Sequence, residues 1–460
     1  MSAFQVLQSV HHALWGPVMP ALLLGAGIFL TVRTRFLAWR NLGPALRAAV
    51  GRKARQAGKS GAVSPFAALM TALAATIGTG NIVGVATALA AGGPGALVWM
   101  EISAAFGLTS KFAECMLAVK YREVNNRGEF SGGPMYTMEK GLRWKKLGAV
   151  LAFCFALFTV AASLGIGCMT QANSIAEALS ASFAVPSAVT GIVLVVFTLP
   201  VLLLGIQGIS RVCTVMVPAM AGLYLLAGLA VLLGNLPAIP GAVLEMIQAA
   251  FCPGAAAGGL AGAAAAAVLE PMRYGVARGC FSNEAGMGSA AIVAAASSAD
   301  PVEQGYISMT GIFFDTFLIC TVTGLAICSS GVLKDAAGAD GAALTILAFQ
   351  SVLGRAGGSL VTVCVTLFAL STILGWAYHG EKALEYLLGT GAVRGYRVLF
   401  ALTAWLGATR PMEAIWQLSD IFNALMALPN LICLLLLSGT VAREMRAAEE
   451  RRLPHSRRKE

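Results

Sequence analysis

Two stretches rich in glycine and polar residues interrupt otherwise hydrophobic segments of this chain. The first is Ile77–Asn81, and the second runs from Arg273 to Gly286. A helix in lipid must satisfy its own backbone N–H and C=O groups, so an unwound stretch at membrane depth persists only where it lines a protein cavity. Two such breaks in corresponding halves of a chain indicate the binding site of a transporter. We therefore expect two discontinuous helices that face one shared cavity.

The composition is typical of a polytopic membrane protein. Of the 460 residues, 57% are hydrophobic and 12% are charged, and the mean hydropathy is +0.76. Soluble chains usually carry about 25% charged residues. A net charge of +10 could indicate a nucleic-acid partner, but the basic residues cluster in loops, which is a topology signal. We expect a multi-pass protein of the cell membrane, in contact with lipid and without a nucleic-acid partner.

The basic loops predict the orientation of the chain. Arg and Lys residues are dense after the first apolar segment, between Lys120 and Lys146, and in the tail after Val441. Such loops face the cytoplasm, so we expect a cytoplasmic C-terminus, an extracellular or periplasmic N-terminus and an odd number of spans. Nothing basic precedes the first span, which favours a retained helix over a cleaved signal peptide.

The hydrophobic pattern predicts an all-α fold with about eleven transmembrane helices. The apolar segments are 14–32, 66–91, 95–119, 148–179, 187–205, 212–234, 262–297, 304–330, 359–388, 394–408 and 414–438. Two shorter patches, 242–251 and 342–353, cannot cross about 30 Å of hydrocarbon and are expected on the outer surface. Most cysteines lie inside apolar segments without paired spacing, so we expect small buried residues.

Without the first span, the remaining ten divide into five and five. A unit with an odd number of spans that is repeated once must be inverted, because its copy starts from the other side of the membrane. Asn81-x-x-Gly84 and Asn283-x-x-Gly286 are 202 positions apart. The predicted organisation is an extra N-terminal helix with a basic loop (1–65), a first repeat (66–234), an extracellular connection (235–261), a second, inverted repeat (262–438) and a basic tail (439–460).

Five strings carry a family resemblance, namely TALAATIGTGNIVGVATALAAGGPGA, GGPMYTMEKGL, YGVARGCFSNEAGMGSA, FFDTFLICT and STILGWAYHGEKALEYL. They resemble the alanine/glycine:cation symporter family over residues 64–439. The resemblance implies the 5+5 inverted-repeat fold of amino acid–polyamine–cation-type transporters, preceded by one extra helix. It also implies inward transport of alanine or glycine with sodium, or in some members with protons.

The first break can supply groups that bind an amino acid zwitterion. Free N–H groups at the start of a half-helix hold a carboxylate, and free C=O groups at a helix end hold ammonium or Na⁺. Gly78 and Gly80 permit the necessary backbone geometry, with Gly78 also a candidate at the ion, and Thr79 and Asn81 add side-chain oxygens. Gln171, midway along a span, can bind the substrate or join two helices; the resemblance places a binding glutamine there.

The resemblance implies further site residues in the second half. Tyr274 and Gly275 match an aromatic–glycine pair of the second broken helix, so Gly275 is expected to open the backbone and Tyr274 to form a pocket wall. Thr372 and Trp376 lie four residues apart on one helical face and are implied as a site residue and a wall. The hydroxyls of Ser371 and Thr372 can join backbone carbonyls in an oxygen cage for Na⁺.

Three charged residues within apolar segments are candidates for a gate or for coupling. Intramembrane charges usually pair, so we expect Arg278 and Glu284 in an inner-gate or structural pair. Asp315 either takes part in coupling, pairs with a buried cation or makes a structural hydrogen bond. The chain departs from the family pattern at Cys168, where relatives often have Asn, and at Glu270-Pro271, where Pro271 would help to interrupt the helix.

Channels and intramembrane enzymes are the two other classes that an apolar chain of this kind could belong to. A channel needs a selectivity filter or rings of charge, and an enzyme needs a motif such as HExxH or GxSxG; the sequence has none of these. We expect a secondary-active symporter for alanine, with glycine, serine or D-alanine as alternatives, driven by Na⁺ through alternating access. A proton-coupled transporter of the same fold is the alternative. No cofactor is expected besides the transported ion, and oligomeric state is not readable.

Overall fold

The computed structural model describes residues 3–56, 62–251, 261–335, 338–339, 341–410 and 413–452. Most of them form helices. Two short strands, β1 (Glu123–Val124) and β2 (Phe130–Ser131), pair in an antiparallel hairpin. Parts of the predicted basic loop, the 235–261 connection and the basic tail lie outside the described residues.

The helices of the first half follow the predicted order. Several are joined by single π-helical turns, which occur mostly as one-turn insertions in α-helices. The elements are α1 (Ala3–Ala13), a π-helical turn (Leu14–Val18), α2 (Met19–Arg33), α3 (Leu37–Arg40), α4 (Leu42–Val50), α5 (Arg52–Arg55), α6 (Pro65–Thr76), a π-helical turn (Gly80–Gly84), α7 (Val85–Gly92), α8 (Gly95–Lys120), α9 (Pro134–Gly141), α10 (Lys145–Leu164), a π-helical turn (Gly165–Met169), α11 (Thr170–Phe183), α12 (Ser187–Leu203) and α13 (Gly205–Gly234).

The second half contains one long helix with an internal break. Gly354 has non-helical angles (φ 58°, ψ −150°), which separates the predicted patch 342–353 from the predicted span 359–388. The elements are a 3₁₀ turn (Leu236–Ala238), α14 (Ile239–Phe251), α15 (Ala261–Asn283), α16 (Ser289–Ala294), α17 (Pro301–Ile312), a π-helical stretch (Phe313–Cys320), α18 (Thr321–Ser329), α19 (Val332–Asp335), α20 (Gly341–Leu388), a 3₁₀ turn (Thr390–Ala392), α21 (Val393–Thr409), α22 (Glu413–Leu436) and α23 (Ser438–Arg452).

Each predicted apolar segment is largely helical in the structure, with interruptions inside 66–91 and 262–297 at the two breaks. Within the described residues, seven helices are long and apolar enough to cross a bilayer, and the bent pair α6 with Gly80–Gly92 would be an eighth. Helices α12 and α21 are short, with 17 residues each, and α15 carries Glu270, Arg273 and Arg278. The molecule is thus a mostly helical protein with many apolar helices, and the count of eleven spans stays a prediction.

The first break occurs where the sequence predicts it. Ser64 starts α6 by accepting a hydrogen bond from the Ala67 N–H at 3.1 Å, as an N-cap residue does. The helix ends at Thr76, Ile77 leaves the helical region with ψ 89°, and the chain resumes at Gly80 with a bend of 52°. The amides that begin the new helix therefore have no intrahelical partner.

The second break is shorter than predicted and lies later in the chain. Helix α15 continues through Pro271 and Gly275 to Asn283, so the expectation that Pro271 and Gly275 interrupt the helix is wrong. A Cβ at Gly275 would contact the Ala96 carbonyl oxygen of α8, and small residues let helices approach in this way. This glycine permits close helix packing, and the helix is broken at 284–288 instead.

Candidate functional site

A small cavity lies between the two breaks. Its volume is about 20 Å³, room for about one water molecule. Backbone and side chains from five parts of the chain line it, and they include Gly78–Gly80, Gln171, Glu284, Thr372, Trp376 and Asn423. We call this space the central cavity. It brings together most of the residues that the sequence singled out, from segments up to about 350 positions apart in the chain.

At the first break, side chains fix the unwound backbone. The Gly78 N–H donates to Asn81 Oδ1 at 2.9 Å, and Asn81 Nδ2 donates to Asp315 Oδ1 at 2.7 Å. Asn81 is fully buried and does not line the central cavity. The structure therefore gives Asn81 a role in holding the break open, and leaves the cavity surface to Gly78, Thr79 and Gly80.

Gln171 lies where the π-helical turn Gly165–Met169 joins α11. Its Nε2 donates to the Ile166 carbonyl at 3.1 Å, and its Oε1 accepts from Thr79 Oγ1 at 3.1 Å. Gln171 thus ties α11 to the first break while one of its faces borders the central cavity. Cys168, one turn earlier, donates instead to the Phe400 carbonyl at 3.3 Å and lies away from the cavity.

Hydroxyl and carbonyl oxygens converge where α20 meets the end of α6. Ser371 Oγ lies 3.1 Å from the Ala74 carbonyl and 3.3 Å from the Ile77 carbonyl. Thr372 Oγ1 donates to its own helix, at the Phe368 carbonyl. A Cβ at Gly78 would collide with Thr372 Oγ1, so glycine is needed for this approach. Ser371 is behind the cavity surface and Thr372 is on it.

The second break places a carboxylate against the central cavity. Glu284 has a left-handed backbone (φ 53°), followed by Gly286 (φ 82°) and Gly288 (φ 87°); this region is unusual for a glutamate and easy for glycine. Glu284 Oε1 accepts from Trp376 Nε1 at 3.0 Å, and its Oε2 accepts from Ser289 Oγ. The Trp376 indole therefore both walls the cavity and orients this carboxylate.

Asp315 links the two breaks. Besides the bond from Asn81, its Oδ2 accepts from Ser282 Oγ at 2.9 Å and from Thr316 Oγ1 at 2.8 Å. Ser282 stands one residue before the end of α15, and Asp315 is fully buried in the π-helical stretch Phe313–Cys320. One carboxylate thus receives donors from both discontinuous helices.

Arg278 and Glu284 do not pair with each other, so that prediction is wrong. Arg278 lies one and a half turns earlier in α15, with its guanidinium 5.6 Å from the Phe281 ring centre. It borders a different cavity, together with Tyr274. Neither Tyr274 nor Gly275 lines the central cavity in this structure, because α15 turns that part of its surface towards α7 and α8.

The sequence reading missed two charged residues of α8 that support the second break. Lys111 Nζ donates to the Asn283 carbonyl at 2.8 Å, which occupies an oxygen freed at the end of α15. Glu114 Oε2 accepts from the Gly288 N–H at 3.0 Å and from Asn430 Nδ2 at 3.2 Å. Both are buried, and ionisable residues within an apolar segment were a sufficient signal to select them.

Asn423 of α22 was also missed. It lines the central cavity, is only 2% exposed, and its Oδ1 has no hydrogen-bond partner within the described residues. Buried polar atoms usually have a partner, so this oxygen is suited to a donor on a bound molecule. Across the described chain, no group of three or more His, Cys, Asp or Glu side chains could hold a metal ion; the oxygens near Ser371 suit only a hard cation.

Apolar helices, two discontinuous helices and a polar cavity between them are the features of a helical multi-pass membrane transporter. The chain belongs to the sodium:alanine symporter family, whose model matches residues 1–459. This confirms the resemblance seen in the sequence, and since the family consists of symporters, the expectation that the chain is not an enzyme is confirmed.

Among similar proteins is the sodium/alanine symporter AgcS of Methanococcus maripaludis, 46% identical over 98% of both chains. The probable sodium/glutamine symporter GlnT of Bacillus subtilis is 35% identical over 95% of this chain and 90% of its own. A solved structure of MhsT in complex with L-phenylalanine aligns with a TM-score of 0.47 at 15% identity, over 84% of this chain and 100% of that one.

Proposed function

We propose that this protein is a sodium-coupled symporter that imports small neutral amino acids, with alanine as the first candidate. The observation that carries the proposal is the central cavity. It combines the amides at the start of a helix, an amide oxygen that has no partner among the described residues and a carboxylate in one space. These are complementary to both ends of a zwitterion.

The substrate would lie across the gap between the breaks. Its carboxylate would accept hydrogen bonds from the Thr79 and Gly80 amides, where the helix dipole favours negative charge. Its ammonium would donate to Asn423 Oδ1 and towards Glu284, which supply acceptors from α22 and from the second break. The Trp376 ring would close the space around a small side chain.

The cation would bind beside the substrate, between α6 and α20. The Ser371 and Thr372 hydroxyls and the Ala74 and Ile77 carbonyls offer the neutral oxygens that Na⁺ accepts. The same residues shape the first break, so filling the ion site would order the amides that hold the substrate. This shared backbone is the physical basis for coupling in the proposal.

The transport cycle would use the predicted repeats. In this scheme 66–234 and 262–438 are inverted five-helix repeats, the N-terminal helix is additional, and the N-terminus is outside a cytoplasmic membrane. One bundle rocks against the other around a fixed site, and ligands favour the closed state by binding it better. Asp315 would transmit closure, because it joins Asn81 of one discontinuous helix to Ser282 of the other.

The size of the substrate follows from the size of the cavity. A space of about 20 Å³ must widen for any amino acid, and a small one requires the least change. The relative named as a sodium/alanine symporter supports alanine, whereas another relative is named as a probable sodium/glutamine symporter, which has a larger substrate. Discrimination by one methylene is worth about 1–3 kcal/mol, so glycine and serine are expected as weaker substrates.

Proton coupling is the second candidate, and buried carboxylates favour it. Asp315, Glu284 and Glu114 are all enclosed and hydrogen-bonded around the breaks, where a carrier could take up a proton. The two candidates differ in which gradient drives uptake.

Uptake of labelled alanine into proteoliposomes separates them. We expect accumulation with an inward Na⁺ gradient at equal pH, and none with an inward proton gradient in choline. The reverse result would establish proton coupling. Uptake that is independent of both gradients would reject the symport proposal.

A further inference from the structure

A second cavity lies beside the central cavity, on the side of the N-terminal helix. Its volume is about 60 Å³, against about 20 Å³ for the central cavity, so it holds about four water molecules where the other holds one. Phe281 lines both cavities. The second cavity is also lined by Trp15, Tyr274, Arg273, Arg278 and Asp420, and we call it the Asp420 cavity.

Asp420 has a free hydrogen-bonding position in this cavity. Its Oδ2 lies 3.1 Å from His11 Nε2, and its peptide oxygen accepts from Trp15 Nε1 at 2.8 Å. Its Oδ1 is enclosed and has no partner within the described part of the chain, although the residue is only 7% exposed. A buried carboxylate oxygen without a donor is costly, so a bound cationic donor would stabilise it.

Two guanidinium groups face the same space. Arg273 lies 4.8 Å from the Tyr274 ring centre and Arg278 lies 5.6 Å from the Phe281 ring centre. Among the described residues, neither forms an ion pair with a carboxylate. Guanidinium groups bind carboxylates through paired N–H donors, so the cavity offers both an acceptor for ammonium and donors for carboxylate.

We propose that the Asp420 cavity is a second binding site for the zwitterionic amino acid, in which Asp420 Oδ1 accepts the ammonium and Arg273 and Arg278 hold the carboxylate. A simple anion would be opposed by Asp420, and a simple cation by the two arginines; a zwitterion satisfies both. This rests on the proposed function, because the ligand is the transported substrate.

The position of Phe281 gives this site a place in the path. Its side chain belongs to the walls of both cavities, so a rotation of this one ring would join them. The substrate would first bind at the Asp420 cavity and then pass Phe281 to reach the amides of Thr79 and Gly80. The N-terminal helix takes part in recognition, because His11 and Trp15 hold Asp420 in place.

Equilibrium dialysis with labelled alanine in NaCl tests the site on the purified full-length protein. The wild type should bind two equivalents, one tightly and one weakly. Asp420→Asn and Arg278→Gln should each weaken the second equivalent about tenfold or more, the effect of losing one hydrogen bond to a charged group, and leave the tight one unchanged. Glu270→Gln is the matched control and should bind like the wild type. It removes an exposed carboxylate that lies on α15, the helix of Arg278, but outside the Asp420 cavity.

Three other outcomes have distinct meanings. A wild type that binds one equivalent, or variants that keep both with unchanged affinity, would overturn the second site and leave the proposed function standing. Asp420→Asn could also lose both equivalents while its thermal stability stays at the wild-type value and Arg278→Gln binds like the wild type. This result would overturn the second site as well, since Asp420 would then act on the central cavity. No sodium-dependent alanine binding by the wild type would reject the proposed function itself.

Discussion

Substitution of Gly78 by alanine tests the geometry of the first break in detail. A Cβ there would collide with Thr372 Oγ1 and lie 3.4 Å from Thr372 Cβ, and Gly78 is buried. Overpacking of this kind costs about 1–3 kcal/mol. If the closed, substrate-binding state bears that cost, alanine affinity should fall about 5- to 150-fold, at 1.4 kcal/mol for each factor of ten.

Titration calorimetry with alanine in NaCl measures this loss of affinity, and two further variants are compared with Gly78→Ala. Gly84→Ala is the matched control: it lies in the same segment with helical angles (φ −65°, ψ −40°), and a Cβ there would have no atom within 4 Å, so it should bind like the wild type. Thr372→Ala should remove the collision, so that the double variant loses less than the sum of the single losses, as coupled residues do. Wild-type affinity in Gly78→Ala, or strictly additive losses, would refute the reasoning.

Three further predictions concern the hydrogen bonds around the cavity. Trp376→Phe keeps an aromatic side chain at the cavity but removes the donor to Glu284, so the binding free energy of alanine should weaken by about 1.5–3 kcal/mol. An unchanged dissociation constant in calorimetry would show that the indole N–H does not contribute to binding. Lys111→Met leaves the Asn283 carbonyl without its donor and Glu114 without the ammonium that lies 4.0 Å from its Oε1. Removal of one member of a buried ion pair costs about 3–5 kcal/mol, so the melting temperature in detergent should drop well below that of Lys145→Met, a change at an exposed lysine. Equal melting temperatures would contradict this. Gln171→Ala should weaken alanine binding while the melting temperature stays close to that of the wild type. A variant with a lowered melting temperature and full affinity for alanine would show that Gln171 has only a structural role.

The first break and the eleven helical segments could be predicted from the sequence because their signals are local. A run of apolar residues determines a helix by its length, and two glycines with polar neighbours inside such a run have few uses other than a break. Thr79 and Gly80 belong to this stretch of the sequence, and both line the central cavity in the structure. Gln171, Thr372 and Trp376 came with the family resemblance and occupy the same space.

The second break was misplaced because glycine has two uses that composition does not separate. Gly275 lets α15 approach the backbone of α8, whereas Gly286 and Gly288 take positive φ angles in the break. Only the neighbouring helix decides between these roles, and no local pattern identifies that neighbour. Pro271 was misread for the same reason, since a helix can accommodate proline where its surroundings are favourable.

The pairing of charges could not be read from the chain either. Arg278 and Glu284 are close in sequence, yet the helix ends between them and the two side chains enter different cavities. Asp315 instead contacts Asn81, 234 positions away. Such partners depend on how discontinuous helices cross, which a one-dimensional pattern does not record.

Binding of alanine to the purified protein by isothermal titration, in NaCl and in choline chloride at two pH values, tests the central claim most directly. We expect heat of binding in NaCl at both pH values and little or none in choline, because in the proposed mechanism the substrate amides are ordered only when a cation binds the oxygens at the end of α6. Equal affinity in choline and NaCl at both pH values would contradict it.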